Sequence, residues 1–197
     1  GAVARMRLAV LASGTGSILD AMVDAGLPVN LVVTDRPCLA VQRAAARGIR
    51  ATIVGRGSFG DDFDRDAYTR RLVEVLVAAD IGLVAMAGFG TVLAQPAYDT
   101  YAGRILNTHP ALLPAFPGWH AVEDALAHGV RVTGCTVHMA TLEVDSGPIL
   151  AQEAVPVLPD DDVERLHERI KTVERRLYPE TIRAVMDNAA GLIGGTA

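Results

Sequence analysis

Five short aliphatic runs, RLAVLA (7–12), VNLVVT (29–34), ATIV (51–54), IGLVAMAG (81–88) and RILNT (104–108), alternate with helical compositions such as LAVQRAAARG and RDAYTRRLVEVLVAA. Strands apolar along their whole length are covered on both faces, and strands separated by helices pair in parallel through crossovers. The expected fold is α/β, a Rossmann-like, mostly parallel twisted sheet with helices on both faces. In such sheets ligands bind outside the carboxyl ends of the strands, so chemistry is sought in the residues that follow each run.

The pattern changes after Pro117. A helix candidate, WHAVEDALAHG, leads into RVTGCTVHMA and GPILAQEAVPV, joined by TLEVDS. So short a connection implies antiparallel pairing and an antiparallel carboxyl-terminal portion. Val163, Leu166, Ile170, Val173 and Leu177 keep helical spacing behind an acidic start, and Pro179 is expected to kink or interrupt that helix. Residues 1–187 are read as one domain and 188–197, NAAGLIGGTA, as a frayed flexible tail.

Half of the 197 residues are hydrophobic, enough for one sizeable core, yet no apolar run reaches the roughly 18 residues of a membrane span. Without a basic-then-apolar opening, a cytoplasmic location is expected. Cys38 and Cys135 lie outside any CxxC spacing and read as buried thiols, with no zinc or other metal expected. A net charge of -5 disfavours nucleic acid as a partner but is compatible with a local pocket for one phosphate.

Three features can carry chemistry. Gly14, Thr15, Gly16, Ser17 and Ile18 follow a strand and open a helix, where backbone N–H groups can hold a phosphate; the same spacing also suits an ordinary turn. Asn107 and His109, in ILNTHPALLPAFPG, share one side of an extended chain and are followed by Pro110, Pro114 and Pro117. They read either as a core histidine with a capping asparagine or as part of a site that needs a third group. Asp145, in EVDSGP, is either that group or a turn aspartate, and a carboxylate beside an imidazole favours the imidazolium. Among the other histidines, His120 and His138 read as surface, capping or supporting residues, and His128 and His167 as solvated. Lys171 and Glu174 are either a surface ion pair or, for Glu174, a ligand contact.

The pieces LASGTGS, MAGF, GRILNTHPALLPAFPG, GCTVHMATLEVDSGPILAQ and LHERIKTVERRLYP together resemble the phosphoribosylglycinamide formyltransferases, folate-dependent enzymes of purine biosynthesis. The resemblance implies transfer of the formyl group of 10-formyltetrahydrofolate to the amine of glycinamide ribonucleotide through a tetrahedral oxyanion, without metal. It implies that Asn107 and protonated His109 stabilise that oxyanion and that Asp145 orients His109. It assigns the ribonucleotide to Gly16, Ser17, Ile18, Lys171 and Glu174. The folate is assigned to Phe89, Gly90, Thr91, Val92, Leu93, Met139, Ala140, Val144 and Asp145, with Arg65 at its glutamate tail. Relatives occur as monomers and dimers, so a homodimer is compatible.

Three positions depart from the family pattern. Ile18 stands where many relatives have Asn, so its backbone would contact the phosphate; FGTVL replaces the common Phe-Met-Arg-Ile-Leu, so Gly90 and Thr91 lack the usual bulk and charge; Lys171 often corresponds to Gln. The competing readings are formyltetrahydrofolate deformylase, which normally carries a preceding regulatory domain, and a non-catalytic folate- or nucleotide-binding module, which would lack one of the trio. Methionyl-tRNA formyltransferase needs a carboxyl-terminal extension and suits the acidic balance less.

Overall fold

The structure is a computed structural model and describes residues 6–194. Seven strands form one sheet: β1 (Leu8–Ala12), β2 (Val29–Thr34), β3 (Ala51–Ile53), β4 (Leu83–Ala87), β5 (Ile105–His109), β6 (Val132–Met139) and β7 (Ile149–Pro156). Their order is β3-β2-β1-β4-β5-β6-β7. β1 to β5 pair in parallel, and β6 and β7 in antiparallel sense, so the mixed sheet matches the class read from the sequence. After β3 the chain crosses back to the far side of β1, and the gap between β1 and β4 is the switch point at which a crevice opens.

The alternation within β1 shows why both faces must be covered. Ala9 and Leu11 enter one apolar cluster with Tyr68, Leu72 and Leu76 of α3 (Arg65–Ala78) and Ala97 and Tyr101 of α4 (Gln95–Tyr101). Leu8 and Val10 enter the opposite cluster with Ile18, Leu19 and Met22 of α1 (Ser17–Asp24), Ala44 of α2 (Leu39–Ala46) and Tyr178 and Ile182 of α6 (Val163–Gly194). Each fully buried leucine or valine contributes about 1.5–3 kcal/mol, which fixes the register strongly because a one-residue slip would reverse both sets. The short α4, with Pro96 in its first turn, is a helix that the sequence reading does not anticipate.

A third cluster joins Val122 of α5 (Ala121–His128) and Leu166 and Ile170 of α6 to Cys135 and Val155 of the antiparallel strands. α6 runs through Pro179 without interruption. Residues 188–194 continue the helix, consistent with their Ala and Leu content, and residues 195–197 of the expected tail lie outside the described residues. Cys135 is buried, its thiol pushed up to about 12 by burial, while Cys38 is only half-buried at the start of α2. No described helix is long and apolar enough to cross a membrane.

α6 is pinned to the sheet by a polar contact as well as by packing. The fully buried Tyr178 donates its hydroxyl to the Met86 carbonyl of β4 at 2.9 Å, beyond the point where β5 pairs with that strand. Tyr178→Phe leaves that carbonyl without its partner and is expected to lower stability by about 1–3 kcal/mol in urea denaturation, with the slope unchanged.

Candidate active site

A cavity of about 470 Å³ opens at the carboxyl ends of β1, β4 and β5 and wraps around the end of β5. The strand supplies side chains to both of its arms. Asn107 and His109 project on the α3/α4 side with Ile105, while Thr108 projects with Leu106 toward α6. Antiparallel pairing sets His138 of β6 directly opposite Asn107, on the same face. His138 is therefore a buried part of the site, at 2% exposure, rather than a surface residue.

Asp145 arrives from the connection between β6 and β7. Its Oδ1 lies 3.6 Å from His109 Nδ1 and 3.8 Å from His138 Nε2, so one carboxylate faces both imidazoles. His109 Nε2 donates to the Phe116 carbonyl at 2.7 Å, which leaves Nδ1 as the ring atom facing the carboxylate. Burial holds the His138 imidazole below its ordinary value, and a bond of Nδ1 to the Met139 carbonyl and the Asp145 charge oppose that shift. A neutral His138 donating through Nδ1 leaves Nε2 as an acceptor at the site, where it has no hydrogen-bond partner.

The surrounding chain over-determines this geometry. Asp145 has left-handed φ 57°, and its Oδ2 accepts from the Gly118 N–H at 2.8 Å. A Cβ at Gly147 would lie 1.7 Å from the Met139 carbonyl oxygen, so only glycine lets the turn close onto β6. The proline-rich loop is held to β6 by Thr136, which accepts from the Leu113 N–H and donates to the Ala111 carbonyl, and by Gln152, which donates to the Leu113 carbonyl. That anchorage places the Phe116 carbonyl against His109.

On the α1/α6 side the cavity is lined by Gly14, Thr15, Gly16, Ser17 and Ile18, together with Lys171 and Glu174. Gly16 is required by packing: its φ is 74° and a Cβ there would come within 2.8 Å of the Ala40 Cα of α2. Ile18 turns its side chain into the core, leaving its backbone for the cavity. Glu174 accepts from the Thr108 hydroxyl at 3.2 Å and its carboxyl is buried, so it is not half of a surface ion pair. His167 is half-buried and lines the cavity instead of being solvated, with burial and then Lys171 holding its ring low. His128 is exposed, and exposed His120 begins α5 without capping it.

On the α3/α4 side Phe89, Thr91, Val92, Leu93, Ala140 and Val144 line the cavity. Arg65, Gly90 and Met139 do not. Arg65 is exposed at the start of α3, Met139 pairs with Leu106 and packs into the opposite face, and Gly90 sits behind the wall against Arg36. Tyr98 and Trp119 line the cavity without having been read from the sequence, because α4 and the loop after Pro117 carry no motif of their own. Among the described residues, no three or more His, Cys, Asp or Glu side chains are grouped to hold a metal ion.

This crevice gathers an amide, two imidazoles and a carboxylate at a strand end of a Rossmann-like sheet. The family model described as formyl transferase matches residues 6–182, and the chain belongs to that family. It is 46% identical to a phosphoribosylglycinamide formyltransferase of Mycobacterium tuberculosis, over 97% of this chain and 90% of that protein. A trifunctional purine biosynthetic protein of Drosophila melanogaster is 40% identical over 96% of this chain, which spans 14% of that larger protein. A glycinamide ribonucleotide transformylase structure from Symbiobacterium toebii superposes with a TM-score of 0.89 and 41% identity, covering 94% of this chain and 90% of that one.

Burial raises the Glu174 carboxyl above its ordinary 4.5, against the pull of the Thr108 hydrogen bond and of Lys171. A raised carboxyl contributes stability below its unfolded value and loses it as pH rises through the folded one. Glu174→Gln is therefore expected to melt higher than the parent at pH 7.5, as calorimetric melts would show. Melts at pH 4 should show that advantage gone.

Proposed function

We propose that this chain transfers the formyl group of 10-formyltetrahydrofolate to the amine of glycinamide ribonucleotide, giving formylglycinamide ribonucleotide and tetrahydrofolate in purine biosynthesis. The observation that carries the reading is the convergence of Asn107, His109, His138 and Asp145 between two differently built arms of one cavity. The arm beside α6 offers the α1 amino terminus to a phosphate and Glu174 and Lys171 to a ribose; the arm beside α4 offers the apolar wall of Phe89, Val92, Leu93 and Ala140 to a pterin.

In the proposed reaction the ribonucleotide amine attacks the formyl carbon, forming a C–N bond and placing negative charge on the formyl oxygen. Asn107 and the His109 imidazolium stabilise that charge, a contribution of about 3 kcal/mol per well-aimed donor. Asp145 supports the imidazolium electrostatically. A proton leaves the attacking nitrogen and one reaches the departing folate nitrogen as its bond to carbon breaks. The acceptor Nε2 of neutral His138 and the Asp145 carboxylate are the groups suited to relay these protons, directly or through one water.

The deformylase reading is not favoured, since the relatives that match over most of their length are named as ribonucleotide formyltransferases. The binding-module reading predicts a missing member of the trio, and all three are present.

Formyl transfer followed by folate absorbance should require glycinamide ribonucleotide; turnover without it would support the deformylase, and binding without turnover the module. His109→Ala and Asp145→Asn are each expected to lower kcat at least about a hundredfold while the ribonucleotide dissociation constant stays within about threefold. Near-parental turnover in either variant removes that residue from the mechanism.

A further inference from the structure

Asp35, at the end of β2, does not line the cavity, yet its carboxylate is bonded to both arms. The residue is 1% exposed. Its Oδ1 accepts from the Ser13 hydroxyl at 2.7 Å, and its Oδ2 from the Thr91 hydroxyl at 2.8 Å. Arg36 donates to both oxygens, at 3.1 and 3.2 Å. Ser13 in turn accepts from the Gly90 N–H at 2.6 Å. Ser13 immediately precedes the glycine loop, and Thr91 belongs to the apolar wall.

Burial alone would raise the Asp35 carboxyl, but the Arg36, Ser13 and Thr91 bonds outweigh it and hold the group below its ordinary value, so it is ionised at neutral pH. Charge-assisted bonds of this kind are roughly twice as strong as neutral ones. The residues at 90 and 91 fit this arrangement. A Cβ at Gly90 would lie 2.8 Å from Arg36 Nη2 and 3.3 Å from the Ser13 hydroxyl, so glycine leaves the guanidinium its place, and the Thr91 hydroxyl supplies a donor. Gly90 and Thr91 thus exchange bulk and charge facing the cavity for a connection behind it.

We propose that Asp35 is a positioning residue that clamps the glycine loop to the folate wall, so that the sites for the two substrates are set by one buried carboxylate. The inference rests on the proposed function for the identity of the ligands. Asp35→Asn keeps the size of the side chain and removes the charge that the three donors share.

The test is calorimetric titration of the full chain with glycinamide ribonucleotide and, separately, with tetrahydrofolate, alongside steady-state rates. In Asp35→Asn both dissociation constants and both KM values are expected to rise about fivefold or more, with kcat within about twofold. Asp35→Asn added to a Ser13→Ala/Thr91→Val background should change them less than about twofold further, since residues acting as one network are not additive. A lower Tm with unchanged constants, or weakening of one substrate alone, overturns the proposal. Should Asp35→Asn fail to fold, Thr91→Val decides: it must weaken the ribonucleotide as well as the folate, and an effect confined to the folate overturns the clamp. A parent protein that binds both ligands without transferring formyl would sink the function and leave the clamp testable by the same titrations.

Discussion

The antiparallel pairing of β5 with β6 is the constraint on which the site depends. Parallel neighbours would have required a crossover and carried the chain away from the carboxyl edge. Instead β6 returns beside β5 in a register that faces His138 with Asn107, and the turn into β7 then delivers Asp145 over the same face. One local reversal of strand direction brings together residues separated by 38 positions along the chain, Asn107 to Asp145.

Rigidity around that pairing comes from contacts invisible to a motif. Thr136 and Gln152 anchor the proline-rich loop, Gly147 closes the Asp145 turn, and the Gly118 N–H fixes the second carboxylate oxygen. These groups are held by contacts within the protein itself, the kind of fixed surroundings in which donors aimed at developing charge are most effective. Glu174 and His138 bear the opposite consequence. Both are held away from their ordinary ionisation by burial, Glu174 upward and His138 downward, a cost to the folded state located where chemistry is done.

In the proposed reading the two arms divide the ligands by the face of the sheet they adjoin. One face carries α1 and α6, whose amino terminus and polar residues suit an anionic sugar; the other carries α3 and α4, whose apolar cluster extends to the cavity through Phe89, Leu93 and Ala140. β5 feeds both because its side chains alternate, with Thr108 reaching Glu174 while Asn107 and His109 face the other way.

The alternating apolar runs were sufficient for the α/β class, the seven strands and the antiparallel end, because periodicity and connection length are local properties of a chain. Asn107 and His109 were legible as a same-side pair for the same reason, whereas Asp145 and Glu174 were candidates with structural alternatives whose roles only the family motifs suggested. Tertiary structure alone decided that His138 belongs to the site, that His167 is half-buried, that Arg65, Gly90 and Met139 stand off the cavity, and that α6 continues through Pro179. Each of those depends on strand register or on packing between segments distant in sequence, and neither residue type nor spacing encodes which neighbour will be met across a sheet.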